Sequence, residues 1–204
     1  MTTVTLTTQA LVALAPVVPV VVIDELDDAV PLAAALVRGG LPAIEVTLRT
    51  QPALAAIERI AAEVEGAVVG AGTVTTRQQV DDALSAGARF LVSPGATPAL
   101  LDALQGSGVP FLAGTATPSD VMALLERGIT HAKFFPAEVN GGVQALKALA
   151  GPFPQMRFCP TGGIDAAKAP EYLALPNVVC VGGSWMTKGD VERLAAEAAA
   201  LPVQ

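Results

Sequence analysis

The sequence predicts an α/β chain folded as a (β/α)8 TIM barrel, one domain over residues 1–204, with an extra helix ahead of the first strand. Two observations predict it. Short β-rich apolar runs, eight of them, alternate with amphipathic Ala- and Leu-rich segments at a spacing of roughly twenty-odd residues. No linker, low-complexity tract or charge block divides the chain. An open doubly wound sheet shares the alternation, but it usually has fewer strands and a phosphate loop after the first strand. No Gly-rich loop follows Val22.

A helical segment over Thr7–Leu14 leads into a first strand at Val17–Val22. The helix expected over Asp27–Arg38 stops at Gly39-Gly40, a left-handed end that glycine suits. Ala43–Val46 is the second strand, and the next helix is Thr50–Ala62, with Thr50 as its cap and Pro52 in its first turn. Strand three, Ala67–Gly70, precedes a helix over Thr76–Ser85 that ends before Gly87. Strand four, Phe90–Val92, precedes a helix over Thr97–Leu104. Strand five, Pro110–Ala113, precedes one over Thr117–Glu126 that opens Thr-Pro-Ser-Asp. His131–Phe134 is strand six, followed by a helix over Asn140–Ala150. Strand seven, Met156–Pro160, leads to a short helix over Asp165–Leu173, and strand eight, Val178–Val181, to a closing helix over Thr187–Ala200.

Composition narrows the function. Hydrophobic residues make up 52% and charged residues 15%, which is low for a soluble monomer. Part of the apolar excess is expected in a subunit interface. A net charge of −7 argues against nucleic acid, whose backbone needs clustered Lys and Arg, but leaves room for a small phosphate held by a few aimed donors. Cys159 and Cys180 lie in apolar strand-like runs and read as buried thiols in a reducing cytosol. Leu11–Ile23 is nearly all apolar. However, Pro16 and Pro19 interrupt it, Met1–Gln9 carries no Lys or Arg, and no cleavage-like site precedes Asp24, so a leader is not expected. At 13 residues the run is too short for a bilayer span. A cytoplasmic chain without a membrane partner follows.

In a TIM barrel the C-terminal strand ends carry the chemistry. Strand two ends on Glu45, Thr47 and Arg49, and strand three on Gly70, Gly72 and Thr73. Ser93-Pro94-Gly95, Gly114-Thr115, Thr161-Gly162-Gly163 and Gly182-Gly183-Ser184 follow later strands, and strand six carries Lys133. Of four lysines, only Lys133 sits inside an apolar run, Ala132-Lys133-Phe134-Phe135. Burial disfavours an ammonium, and a neutral amine attacks a carbonyl carbon to form an imine. The same position also suits a lysine that snorkels from a strand end or rests on a carboxylate. Side chains alternate along a strand. If Ile44 and Val46 face the helices, Ala43, Glu45 and Thr47 face the lumen that Lys133 enters. Glu45 then serves as a proton shuttle beside the amine, or simply as its ion-pair partner. Arg49 offers a planar fork for a keto-acid carboxylate, with the Thr73 hydroxyl as a second donor. The glycine pairs after strands seven and eight let backbone N–H groups approach a phosphate, with Ser184 adding a hydroxyl. His131 is the only histidine, so a zinc or iron site built on several histidines is excluded; it reads as structural or surface. Trp185 and Met186 are expected to pack against the last helix.

Pro16-Val-Val-Pro-Val20, Ile44-Glu-Val-Thr-Leu-Arg-Thr50, Val69-Gly-Ala-Gly-Thr73 and Val92-Ser-Pro-Gly95 recur together with Lys133-Phe-Phe-Pro-Ala-Glu138 and Asn140-Gly-Gly142. With Arg157-Phe-Cys-Pro-Thr-Gly-Gly-Ile164 and Val181-Gly-Gly-Ser-Trp185 they run almost the full length. In this combination the sequence resembles the 2-keto-3-deoxy-6-phosphogluconate (KDPG) / 4-hydroxy-2-oxoglutarate (KHG) aldolase family. The resemblance implies a homotrimeric barrel with a small keto acid as its substrate and Schiff-base chemistry without a metal or other cofactor. It places the imine on Lys133 and the proton shuttle on Glu45, with Arg49 and Thr73 on the pyruvate carboxylate. It implies a phosphate held by Gly163, Gly183 and Ser184, which lie in the turns already read as binding through the pairs Gly162-Gly163 and Gly182-Gly183, and apolar walls from Phe135 and Pro94. Thr161 would mark the phosphogluconate-type site, since galactonate-type relatives carry an apolar residue there. Strand five departs from the family, reading Leu-Ala-Gly-Thr115 where relatives often have Pro-Gly. On the residues alone, a phosphosugar epimerase or isomerase and a non-catalytic barrel kept or engineered for assembly remain alternatives.

Overall fold

A computed structural model describes residues 6–202. The start of Met1–Gln9, read above as carrying no leader, lies outside them. Among the described residues the order is α1 (Thr8–Val12), β1 (Val17–Val21), α2 (Ala29–Arg38), β2 (Ala43–Thr47), α3 (Ala53–Glu63), β3 (Val68–Gly72), α4 (Arg77–Ser85), β4 (Leu91–Val92) and α5 (Pro98–Gly106). It continues with β5 (Phe111–Thr115), α6 (Pro118–Leu125), β6 (His131–Phe134), α7 (Gly142–Ala150), β7 (Arg157–Pro160), α8 (Ala169–Leu173), β8 (Val181–Gly183) and α9 (Val191–Ala199). The strands are parallel, in the order β7-β6-β5-β4-β3-β2-β1-β8. Bridges from Phe158 to Val178 and from Thr161 to Gly182 carry the seam across, so this is a nearly closed TIM barrel, as the sequence predicts.

Strand alternation sorts the apolar side chains into two sets. Val17, Ile44, Val46, Val69, Leu91, Ala132, Phe134 and Phe158 face outward and pack with the helices in a single cluster. Val18, Ala43, Phe90, Val92, Leu112, Cys159 and Cys180 face the lumen. Leu11 and Val12 of α1 join that inner set and stopper the N-terminal end of the barrel. Each buried side chain of Val or Leu size stabilises the fold by roughly 1.5–3 kcal/mol. Both cysteines are buried free thiols. Four helices open on a threonine whose side chain accepts a third-residue N–H: Thr7, Thr76, Thr97 and Thr117. Thr117 and Asp120 form a reciprocal capping box.

Four local expectations need correction. Thr50 does not cap α3, which starts after Pro52; its hydroxyl instead donates to the Ile23 carbonyl at the end of β1. β8 lies at Val181–Gly183, not Val178–Val181. Val178 and Val179 have the higher β propensity, but the ladder with β1 pairs Val17, Val18 and Pro19 with Val181, Gly182 and Gly183. Packing selects glycine there, because a Cβ at Gly182 would lie 2.2 Å from Thr161 Oγ1. α8 begins after a turn in which the Asp165 carboxylate accepts the N–H groups of Ala167 and Lys168, both at 3.0 Å. α9 begins after Asp190, which caps it. The remaining bounds shift by one or two residues.

Candidate active site

β2 and β6 enter the lumen from different sides and meet at two charged side chains. Glu45 sits opposite Val20 and Gly70, and Lys133 opposite Gly114 and Cys159. Lys133 Nζ donates to Glu45 Oε1 at 3.1 Å, and each side chain is only 4% exposed. A buried pair of this kind costs several kcal/mol of desolvation per ion, so stability is a poor reason for its presence. The lumen is shaped around the pair by missing side chains. A Cβ at Gly72 would stand 2.2 Å from Glu45 Oε1, and one at Gly70 would stand 2.5 Å from the Phe90 ring. Gly70 thus admits the floor of the site and Gly72 its carboxylate. The ring of Phe135 lies 5.2 Å from Lys133 Nζ and walls the amine.

Arg49 follows a tight turn in which its N–H donates to the Thr47 carbonyl at 2.8 Å. Its Nε donates to Thr73 Oγ1 at 3.1 Å, and the side chain is otherwise exposed, leaving the rest of the fork free for an anion. Thr73 is the one non-glycine residue with positive φ, +60°, among those described. A left-handed threonine costs on the order of 1–3 kcal/mol, a strain that marks functional positions. Pro94 is held by the neighbouring strand: a Cβ at Gly114 would fall 2.2 Å from the Pro94 carbonyl carbon.

Thr161 is buried, accepts the bridge to Gly182 and donates weakly to Cys159 O at 3.4 Å. Gly162 and Gly163 then turn with φ of +105° and +79°. Their carbonyls are engaged by the Glu138 N–H at 3.1 Å and Lys168 Nζ at 3.0 Å. The N–H groups of Gly163, Ile164 and Ser184 find no protein acceptor among the described residues. Gly183 is buried beneath Trp185, whose Cζ3 would lie 1.9 Å from a Cβ there. Trp185 therefore packs on the β8 turn itself as well as against the outer core. Gly182 is buried and Ser184 exposed at the same rim.

The predicted site residues thus gather at one end of the barrel. The sequence places Ser93 and Thr115 at strand ends, but nothing in it assigned a role to the hydroxyls they set behind the site. Thr115 Oγ1 donates to the Lys133 carbonyl at 3.0 Å, and Ser93 Oγ accepts the Gly114 N–H at 3.3 Å. Both side chains are buried at strand ends, and a hydroxyl in that position is the signal that marks them. His131 lies at the opposite end, half-buried, with Nδ1 3.2 Å from Thr130 Oγ1. Burial, then the nearby Arg157 charge, push its pKa down. A hollow of about 680 Å3 opens at that end, lined by residues including Val12, His131 and Arg157, but it contains no amine–carboxylate pair. No cluster of three or more His, Cys, Asp or Glu side chains able to hold a metal occurs among the described residues.

The KDPG and KHG aldolase family model matches residues 8–199. The KHG/KDPG aldolase of Escherichia coli K12 is 51% identical over 182 residues, covering 89% of this chain and 85% of that protein. The crystal structure of 2-keto-3-deoxy-6-phosphogluconate aldolase from Zymomonas mobilis superposes with a TM-score of 0.94 at 48% identity, covering 97% of this chain and 98% of that one. A third match is KDPG aldolase from Legionella pneumophila, with pyruvate captured at low pH as a covalent carbinolamine intermediate. Its TM-score is 0.92 at 46% identity, covering 95% and 98% of the two chains. Matched along nearly its whole length, this chain belongs to the KDPG and KHG aldolase family.

Proposed function

We propose that the chain is a class I aldolase that cleaves 2-keto-3-deoxy-6-phosphogluconate to pyruvate and glyceraldehyde 3-phosphate, with side activity on 4-hydroxy-2-oxoglutarate to pyruvate and glyoxylate. The observation that carries the reading is the buried 3.1 Å contact between Lys133 Nζ and Glu45 Oε1. A proton passing along it leaves a neutral amine, which adds to C2 of the keto acid. Loss of water from the carbinolamine gives the protonated imine. Glu45 takes the proton from the C4 hydroxyl, the C3–C4 pair moves toward the imine nitrogen, and the aldehyde departs. The enamine left on Lys133 is protonated at C3, and water returns to C2 to release pyruvate.

Arg49 and Thr73 hold the substrate carboxylate, and Phe135 and Pro94 line the carbon chain. The phosphate lies against the turns at Gly162-Gly163 and Gly182-Gly183, with Ser184. The unpaired N–H groups of Gly163, Ile164 and Ser184 support this placement. Thr161 borders the same turns and favours the phosphogluconate substrate. We further propose one barrel domain acting as a cytoplasmic homotrimer. The low charged fraction of 15% and the exposed Met122 and Val139 support an interface.

Borohydride trapping with pyruvate, read by peptide mass spectrometry, tests the mechanism. The expected adduct is on Lys133; an adduct elsewhere, or none, refutes it. A lactate-dehydrogenase-coupled assay distinguishes cleavage from epimerisation, which releases no pyruvate.

A further inference from the structure

Lys168 takes no part in this chemistry, yet its amine is tied in twice behind the β7 turn. Nζ lies 2.7 Å from Glu138 Oε2 and donates to the Gly163 carbonyl at 3.0 Å. The other oxygen of Glu138 accepts a short hydrogen bond from the buried Tyr172 hydroxyl. Two glycines make room for this network. A Cβ at Gly163 would sit 2.7 Å from Glu138 Cγ, and one at Gly142 would sit 2.8 Å from the Tyr172 hydroxyl. The ionic states agree with the geometry. Hydrogen bonds from Lys168 and Tyr172 hold the Glu138 carboxyl below its usual range, and Glu138 in turn raises Lys168. Burial, then the bond to Glu138, push the Tyr172 phenol up, so it stays a donor.

An ion pair this exposed, 44% and 34%, adds little to stability. Its effect falls on the turn. In a trans peptide the N–H points opposite to the C=O. With the Gly162 carbonyl held by the Glu138 N–H and the Gly163 carbonyl by Lys168, the Gly163 and Ile164 N–H groups point away from the network. A cation on a carbonyl also polarises that peptide and strengthens its N–H as a donor.

We propose that Lys168, steadied by Glu138 and Tyr172, is a positioning residue that aims the Gly163 and Ile164 N–H groups and so sets the preference for a phosphorylated over an unphosphorylated keto acid. This rests on the reading that the Gly162-Gly163 turn takes the substrate phosphate.

The test compares wild type, Lys168→Met and Lys168→Arg on 2-keto-3-deoxy-6-phosphogluconate and on 4-hydroxy-2-oxoglutarate, with thermal melts and inhibition by inorganic phosphate. Lys168→Met is expected to raise KM for the phosphorylated substrate roughly 10–100-fold, the scale of one charge-assisted hydrogen bond, and to weaken phosphate inhibition in parallel. Its kcat, and both constants for the unphosphorylated substrate, should stay within about twofold, and Lys168→Arg should recover most of the loss. Wild type that prefers the phosphorylated substrate while Lys168→Met leaves its KM unchanged overturns the role of Lys168 and leaves the phosphate site standing. Equal losses on both substrates overturn it too, as a general structural defect. Wild type indifferent to substrate phosphate, and not inhibited by inorganic phosphate, overturns the phosphate site and this role with it.

Discussion

Gly72→Ala isolates the contribution of the Glu45 carboxylate without touching either charged residue. The added methyl would lie 2.2 Å from Glu45 Oε1, 2.5 Å from its Cγ and 2.6 Å from its Cδ. β3 cannot retreat, because every residue from Val68 to Gly72 is in register with β2. The carboxylate must therefore swing out of its contact with Lys133. Gly70→Ala is the matched control: the three nearest atoms to its methyl all belong to the Phe90 ring, at 2.5 Å. Overpacking of this kind costs about 1–3 kcal/mol. At about 2–4 °C per kcal/mol for a chain of this size, both variants should lose roughly 2–12 °C in Tm. Their kinetics should diverge. If Glu45 is the proton shuttle proposed above, displacing it costs roughly 10²–10⁴-fold in kcat, whereas the control should stay within about fivefold. Coupled pyruvate release gives kcat, and a thermal melt confirms folding. A folded Gly72→Ala protein with kcat within about tenfold of wild type refutes the reasoning, as does a Gly70→Ala protein that is equally inactive.

Arg49→Ala removes the charge beside Thr73, and the pyruvate concentration needed for half-maximal borohydride trapping should rise roughly 10–100-fold. No rise would place the carboxylate elsewhere. Thr117→Ala breaks the capping box on α6 and should cost about 1 kcal/mol in a denaturant melt, with activity at 25 °C unchanged. The same box has an acid limit. Burial raises the Asp120 pKa, but hydrogen bonds from Ala116 and Thr117 outweigh it and bring it below 3.8. Its contribution is therefore complete above that pH and lost as pH falls through the folded value, so Asp120→Asn should flatten the acid limb of a Tm–pH profile. His131, with its pKa lowered by burial and by Arg157, contributes fully above pH 6.5 and loses this as pH falls through its folded value. His131→Gln should be less sensitive over that window, and an unchanged slope would contradict the assignment.

Much of the fold was legible because alternation is a local property. Ile44 and Val46 on one face of β2 turned Glu45 inward, and Lys133 inside an apolar run announced a buried amine. What failed depended on partners distant in the chain. Val178-Val179-Cys180 has the better strand composition, but β1 pairs with the glycines beyond it, where Thr161 leaves no space for a side chain. Thr50 looked like a cap until the Ile23 carbonyl at the end of β1 claimed its hydroxyl. Glycine likewise reads locally as turn chemistry, yet Gly70 and Gly72 lie within β3 and make room for Phe90 and Glu45. Lys168, flanked by small residues in sequence, showed nothing of its bond to the Gly163 carbonyl, because Glu138 and Tyr172 reach it from other parts of the chain.

Among the described residues, Leu11 and Val12 plug the N-terminal end of the lumen, which leaves the opposite end as its doorway. Both fragments of the cleaved substrate must then leave by the route through which it entered. On the mechanism proposed above, bond cleavage frees the aldehyde half at the rim while the three-carbon half stays tethered to Lys133 below. Departure is thus sequential, phosphorylated fragment first. The water that frees the pyruvyl group reaches it only through the space just vacated, which ties the timing of hydrolysis to the exit of the first product.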